Sequence, residues 1–402
     1  MGVTTLEIMS SPWIKNADSS ARPDPIELPD RVDVIVVGGG LAGIGVAVNL
    51  ARAGTDVALL EARTQLGCGW TGRNLGLVSL GLGEHPARLA SAMGRTAAVA
   101  LLRFSKKNLD LFAHQECAVP NGGIYLPSAP GEVAQIDLGL DILQECGAQP
   151  EIWSPQKIEE TLGIHSAGPG RFIPEELACD PVAVVESLTK EAIQEGARIH
   201  TGCRVESVED IQDGVRAHFG ERAIEAEAIV FANNAGLPLL DPAFSEIIAP
   251  ARRQSVMVRG SGHPASTPIR SQHGHLEVRI LPSGNIMASG CRWATPHMEV
   301  GETDETVQID LVEEKLLEAI ERLIQPSSGL EVLSRWSGIM ALTCDGLPLV
   351  GPVPGGSRRV VCAGFNGQEL GFALQAAREV STGLLGLSNE PLLECLHPAR
   401  FL

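Results

Sequence analysis

Residues 32 to 61 hold the chain's best-placed candidates for chemistry. An apolar run from Val32 to Val37 leads into Gly38-Gly39-Gly40-Leu41-Ala42-Gly43, and a second run, Asp56 to Leu60, ends on Glu61. A sharp turn at Gly38 from strand into helix leaves the N–H groups at the helix N-terminus available to a pyrophosphate. Gly40 lets the phosphates come close, and Gly43 lets helix pack on strand. Glu61 follows at about the 20-residue spacing at which a carboxylate can accept hydrogen bonds from both ribose hydroxyls of an adenosine. It would repel a 2′-phosphate. The segment is expected to bind a dinucleotide, with NADP disfavoured.

The elements around this site follow from periodicity. Helices are expected over 86 to 118, 131 to 146, 181 to 196, 305 to 324 and 370 to 385, and strands at 124 to 126, 197 to 200, 203 to 205, 228 to 232 and 359 to 364. Residues 253 to 290 alternate like antiparallel strands, with turns at Gly262-His263-Pro264 and Pro282-Ser283-Gly284-Asn285. Helix followed by strand after Asp180-Pro181 continues a parallel sheet begun at Val32.

Composition narrows the class. The 402 residues are 44% hydrophobic with a formal charge of −18, which argues against nucleic acid or an anionic membrane as partner. Nine cysteines without a C-x-x-C read as reduced thiols of a cytoplasmic protein, and no metal site is expected. The first 30 residues, with Pro12, Pro23, Pro25 and Pro29, read as an N-terminal arm and as neither signal peptide nor membrane span.

Further motifs fall in a specific order. Leu60-Glu61-Ala62-Arg63 is followed by Thr71-Gly72-Arg73-Asn74-Leu75-Gly76, Cys179-Asp180-Pro181, Val205 and Phe231-Ala232-Asn233-Asn234-Ala235-Gly236. Near the end stand Trp336-Ser337-Gly338, Asp345-Gly346-Leu347-Pro348-Leu349-Val350-Gly351 and Gly364-Phe365-Asn366-Gly367. From about residue 30 to 390 the chain resembles the FAD-dependent D-amino-acid oxidase superfamily, in particular its sarcosine, glycine and gamma-glutamylputrescine oxidase branch. The resemblance implies an α/β fold: a Rossmann-like FAD-binding domain of the glutathione-reductase type, with an inserted α+β substrate domain built on an antiparallel sheet. The FAD domain is expected at 31–85, 180–236 and 335–390, the substrate domain at 86–179 and 237–334, and a tail at 391–402.

The same resemblance implies the site residues. Gly38, Gly40, Leu41, Ala42, Gly43, Glu61, Ala62, Arg63, Thr71, Gly72, Arg73, Asn74, Val205, Asn234, Gly236, Gly364, Asn366, Gly367, Gln368 and Leu370 would bind FAD. The loop from Gly364, with a helix from about Leu370, would set a helix N-terminus at the flavin N1–C2=O, where charge develops on reduction. Arg73, Glu369, Gln368 and His275 are the catalytic candidates.

Departures from the family pattern bear on substrate. The arginine that clamps a substrate carboxylate in relatives, just after the W-x-G segment, is replaced by Ile339-Met340-Ala341-Leu342-Thr343, so a substrate without a small free α-carboxylate is expected. The lysine that assists oxygen reduction has no counterpart in Ile286-Met287-Ala288-Ser289-Gly290. Cys344 is displaced from the covalent flavin position, so FAD is expected to be noncovalent. Gln368-Glu369 replaces a small pair such as H-G, and Glu369 could meet a substrate ammonium. The expected reaction oxidises the C–N bond of a small-molecule amine or N-substituted amino acid to an imine by hydride transfer to flavin N5, with oxygen or another electron acceptor. A 2-hydroxy-acid dehydrogenase of the same superfamily, or a flavin-binding protein that has lost catalysis, is the alternative.

Overall fold

The computed structural model describes residues 11–15, 28–260, 267–325, 329–355, 358–388 and 391–401. The turn expected at Gly262-His263-Pro264 and most of the N-terminal arm lie outside the described residues. Two compact units divide the chain. One comprises Asn16–Gly72, Pro181–Ala251 and Ile339–Leu402, here the nucleotide unit. The other comprises Met1–Lys15, Arg73–Asp180 and Arg252–Gly338, here the sheet unit. Each unit is assembled from separate stretches of chain.

The nucleotide unit is built on an eight-stranded sheet. Its order is Ser207–Ile211, Gly214–Phe219, Arg222–Phe231, Arg31–Val37, Val57–Glu61 and Arg198–Thr201, with Arg359–Ala363 pairing Arg222–Phe231 and Leu349–Pro352 beside it. The pairs that Arg31–Val37 makes with Val57–Glu61 and with Arg222–Phe231 are parallel, as is that between Val57–Glu61 and Arg198–Thr201. These central strands are nearly continuous apolar runs because both faces are covered. The helices Leu41–Arg52, Pro181–Gln194 and Ala373–Leu384 pack together over one face. Phe231, Leu237, Phe244 and Ile248 fill a core on the other.

Most of a second eight-stranded sheet belongs to the sheet unit, in the order Val332–Thr343, Ile248–Val258, Ile286–Gly290, Leu276–Ile280, Ile269–Ser271, Gly123–Tyr125, Gly170–Ile173 and Glu151–Trp153, of which residues 339–343 and 248–251 are counted with the nucleotide unit. It is mostly antiparallel, and successive residues alternate between its faces. One face is apolar: Val256, Val278, Ile280, Ile286 and Ile124 pack against Val312, Leu316 and Ile320 of the helix Asp310–Ile324. A small third sheet joins Leu77–Val78, Leu177–Cys179 and Ala118–Val119.

Several boundaries differ from the sequence expectation, each for a local reason. The helix expected over 86 to 118 is two, Pro86–Met93 and Arg95–Ala113, parted at Gly94 with φ of 84°. That over 131 to 146 is reduced to Pro130–Val133 and Leu140–Glu145, the second entered through left-handed Gly139. The amphipathic helix begins at Asp310 rather than 305, where the Gln254 Oε1 accepts the Ile309 N–H at 2.7 Å. The last helix begins at Ala373, after a 3-10 turn Glu369–Gly371 and a break at Phe372. Residues 73–85 fall with the sheet unit, where Leu77–Val78 pairs Leu177–Cys179, and residues 237–251 fall with the nucleotide unit, where Leu237 and Phe244 are core. Near the N-terminus, Pro12–Lys15 forms a helical turn whose Trp13 donates to the Asn74 carbonyl at 2.7 Å beneath the Arg279 guanidinium.

Candidate functional site: a nucleotide turn and a polar sheet face

The strand Arg31–Val37 ends in a turn that only glycine can make. Gly38 has φ of 107°, and a Cβ there would lie 2.6 Å from the Ala232 carbonyl oxygen; one on Gly43 would lie 1.9 Å from the Gly38 oxygen. The helix Leu41–Arg52 starts from Gly40, which offers no side-chain cap. The first bond up the helix is Ile44 N–H to Gly40 C=O, so the N–H groups of Leu41, Ala42 and Gly43 precede it and are left to non-helical acceptors. Leu41 already has one. Its N–H is accepted by Thr71 Oγ1 at 3.1 Å, and the Thr71 hydroxyl donates to Glu369 Oε1 at 2.7 Å.

Two carboxylates flank this turn. Glu61 Oε2 accepts the Gly39 N–H at 2.7 Å and its Oε1 accepts the Arg63 N–H at 2.7 Å, so the backbone fixes the carboxylate while both oxygens retain acceptor capacity. Glu369 is 7% exposed, and its Oε2 has no hydrogen-bond partner. Burial pushes its carboxyl up to about 7, against the opposing hydrogen bonds of Thr71 and the Leu41 N–H. The side chain expected at a substrate ammonium, or capping its own helix, is thus turned toward the start of the nucleotide helix. Gln368 precedes it, its N–H given to the Phe365 carbonyl.

The remaining expected cofactor residues of the nucleotide unit lie in segments that follow the carboxyl ends of its parallel strands. Asn234, with φ of 50°, donates from Nδ2 to the Ile339 carbonyl at 3.3 Å, and Gly236 closes the 3-10 turn after the Arg222–Phe231 strand. Asn366, with φ of 53°, accepts the Thr343 N–H at 2.8 Å and donates to the Gly364 carbonyl at 2.8 Å, which locks the loop Gly364 to Gly367. Leu370 and Val205 are buried. Ala62 and Gly72 lie in the turns after Glu61 and Thr71. Met340, in the neighbourhood of the relatives' carboxylate clamp, packs with Trp70, Ala251 and Leu342.

In the sheet unit, Arg73 is engaged by protein groups: Nη2 pairs with Glu305 Oε1 at 2.7 Å and Nη1 donates to the Ser337 carbonyl at 3.0 Å. Asn74 Oδ1 accepts the Gly76 N–H at 2.8 Å. His275 is exposed, and partial desolvation and then Arg253 and Arg292 push its imidazole down, which favours the neutral form near pH 7.

Sequence reasoning missed the polar face of the large sheet. Register places Ser255, Ser289, Glu277, Arg270, Tyr125 and Arg171 side by side across six strands, so all six project to one side. Arg253 joins them, pairing with Glu277 at 3.0 Å and donating to Ser289 Oγ at 3.0 Å. Arg270 pairs with buried Glu176, whose Oε1 also accepts the Leu80 N–H. The Arg171 guanidinium stands over the Tyr125 ring at 5.3 Å, and its Nε and Nη1 have no partner although the residue is 6% exposed. Burial, then repulsion from Arg270, pushes it down to about 10, so it keeps its charge at neutral pH. A cavity of about 690 Å³ lined by Leu126, Ser271 and Leu276 opens on the opposite face, since those residues alternate with Tyr125, Arg270 and Glu277. Period-two alternation with arginine at inward positions, as in Leu276-Glu277-Val278-Arg279-Ile280, was the available signal.

Residues 33–382 match the family described as FAD dependent oxidoreductase, DAO. The chain belongs to that family. It is 23% identical, over 93% of its length, to a tRNA 5-methylaminomethyl-2-thiouridine biosynthesis bifunctional protein of Legionella pneumophila, and spans 58% of that protein. With a glycine oxidase of Bacillus licheniformis it shares 23% identity over 83% of this chain and 88% of the other. The fold matches a crystal structure of glycine oxidase from Geobacillus kaustophilus, with a TM-score of 0.76 at 19% identity over 93% of this chain and 100% of that one. The L-proline dehydrogenase from P. horikoshii superposes at 0.74 and 18% identity over 93% and 98%. The chain thus spans about 58% of the first curated relatives it matches.

The turn fits the family's cofactor on its own geometry. Gly38, Gly40 and Gly43 make a cradle that a Cβ would fill, the early N–H groups of the Leu41–Arg52 helix are anion donors, and Glu61 presents two fixed acceptors for ribose. Among the described residues no helix is long and apolar enough to cross a membrane.

Proposed function

We propose that this protein oxidises the C–N bond of an N-substituted amino acid or a related acid-bearing amine to an imine. When bound, a flavin would supply a two-electron acceptor for the hydride on the carbon next to nitrogen. The amine proton would leave to solvent, and oxygen or another acceptor would take up the electrons. In this reading Gly38, Gly40 and the N–H groups of Ala42 and Gly43 hold the pyrophosphate, Glu61 the adenosine ribose, and the loop Gly364 to Gly367 the flavin end. FAD is held noncovalently.

Arg171 carries the substrate half of the proposal. A buried guanidinium that stays charged and has two unpartnered N–H donors is costly unless an anion completes it. A substrate carboxylate is such an anion, and Arg171 then replaces the clamp that Met340 cannot provide. This reverses the expectation of a substrate lacking a small acid, because the cation stands on a strand far in sequence from the W-x-G segment. The names of the relatives share amine chemistry: glycine, L-proline and a methylaminomethyl group. The charge of −18 favours a small free molecule over RNA.

Anaerobic mixing of the FAD-loaded protein with matched amines, with and without a carboxylate, tests this through loss of flavin visible absorbance. Acid-bearing secondary amines should bleach the flavin. Equal bleaching by polyamines that lack an acid would overturn the substrate assignment, and bleaching by 2-hydroxy acids alone would overturn the reaction.

A further inference from the structure

We infer that the Glu369 carboxyl is a ligand of the cofactor in its protonated form, and that FAD binds to this protein together with one proton. The inference rests on the family's dinucleotide occupying the turn at Gly38 to Gly43.

Glu369 stands where the resemblance leads one to expect a small residue, and its side chain extends toward the nucleotide turn. A Cβ on Gly40, the glycine whose bareness admits the phosphates, would lie 3.6 Å from Glu369 Oε1. Thr71 links that oxygen to the Leu41 N–H, so the carboxyl is joined by two hydrogen bonds to the anion-binding end of the helix. The helix end favours one negative charge there. A pyrophosphate brings its own, and an ionised Glu369 beside it would be a second, buried where water cannot screen it. Protonation resolves the conflict. It turns Oε2, now without a partner, from a bare acceptor into an O–H donor for a phosphate or ribityl oxygen.

The titratable neighbours do not offer another solution. Cys362, on the strand Arg359–Ala363, has its thiol pushed up by burial and then by the Glu369 charge, so it stays protonated. Glu61 faces Gly39 from the other side of the turn and is also an acid. Thr71 is neutral, and no basic side chain contributes to the titration of Glu369. Burial has already brought its carboxyl to about 7 before any phosphate arrives. A bound pyrophosphate raises it further, so affinity should be constant in acid and fall by up to about tenfold per pH unit above that value.

Calorimetry of FAD binding to the apoprotein, in two buffers of different ionisation enthalpy, counts the proton directly. At about pH 8 wild type should take up close to one proton per FAD. Glu369→Gln, which is isosteric and always neutral, should bind FAD with none and with an affinity flat from about pH 6 to pH 9. Binding by wild type without proton uptake would overturn the inference and leave the cofactor assignment standing. Unchanged uptake in Glu369→Gln would give the proton to another group and overturn it equally. No FAD binding at any pH would remove both.

Discussion

The nucleotide turn and the polar sheet face are both built from residues that bind charge, yet they are written in the chain in opposite ways. At the turn, Gly38, Gly40, Gly43 and Glu61 fall within one strand-helix-strand unit, and backbone N–H groups do most of the work. On the sheet face, six side chains from six strands between Tyr125 and Ser289 meet only through register. A site made by backbone has a local sequence signature; a site made by cross-strand neighbours has none. If the contrast is sound, damage to the turn should be all-or-none for the cofactor, and damage to the face should be graded and confined to substrate.

The largest effect is expected at Gly43. Alanine would place its Cβ 1.9 Å from the Gly38 oxygen and 3.0 Å from the Gly38 carbonyl carbon, a backbone clash that no side-chain movement relieves. Gly43→Ala should lose FAD by roughly a hundredfold or more, or fail to fold. Flavin content together with circular dichroism distinguishes the two, and a yellow, folded variant would show that the close approach is not needed.

Glu61 tests the same turn more gently. Charge-assisted hydrogen bonds contribute roughly 1.5–3 kcal/mol, so Glu61→Ala should weaken FAD binding by about tenfold or more. The loss also releases the Gly39 and Arg63 N–H groups that Glu61 now accepts. Flavin fluorescence titration measures it, and an unchanged dissociation constant would remove Glu61 from the site.

Legibility followed this division. The parallel strands, the turn and Glu61 were readable because period and glycine spacing are local. Arg171, Arg253 and Arg270 were not, since an arginine in an alternating strand reads as solvent-facing until register buries it. Glu369 was noticed as a departure, but the direction of its side chain depends on Thr71, 298 positions away. Arg73 was a candidate partner for cofactor or substrate, and its pairing with Glu305, 232 positions on, could not be read from its loop.

The sheet face predicts a trade. Arg171→Met keeps length and removes a buried, incompletely paired charge, so the variant should melt at higher temperature than wild type. It should retain FAD, and its apparent constant for an acid-bearing amine should rise by about tenfold. Scanning calorimetry and steady-state kinetics read the two halves separately. A lower melting temperature with an unchanged substrate constant would make Arg171 a structural cation, and the face would lose its claim on substrate.

The smallest effect concerns the apoprotein alone and returns to the turn. Glu369 has its carboxyl raised in the folded chain to about 7 from the ordinary 4.5. The folded state therefore holds a proton over a range in which the unfolded chain has released it. The associated stability is fully present below about pH 4.5, and it is lost as pH rises through 7. Over that window the loss is at most about 3 kcal/mol, which for a chain of this size is several degrees in melting temperature. Other buried acids, Glu176 and Glu299, are also pushed up by burial and tilt the wild-type curve the same way. The informative quantity is therefore the difference between wild type and Glu369→Gln. That difference should favour wild type or vanish in acid, move toward the variant as pH rises from about 4.5 to 7, and level off above. A difference independent of pH would mean that the carboxyl ionises at its ordinary value despite its burial, and that the start of the nucleotide helix accommodates its charge.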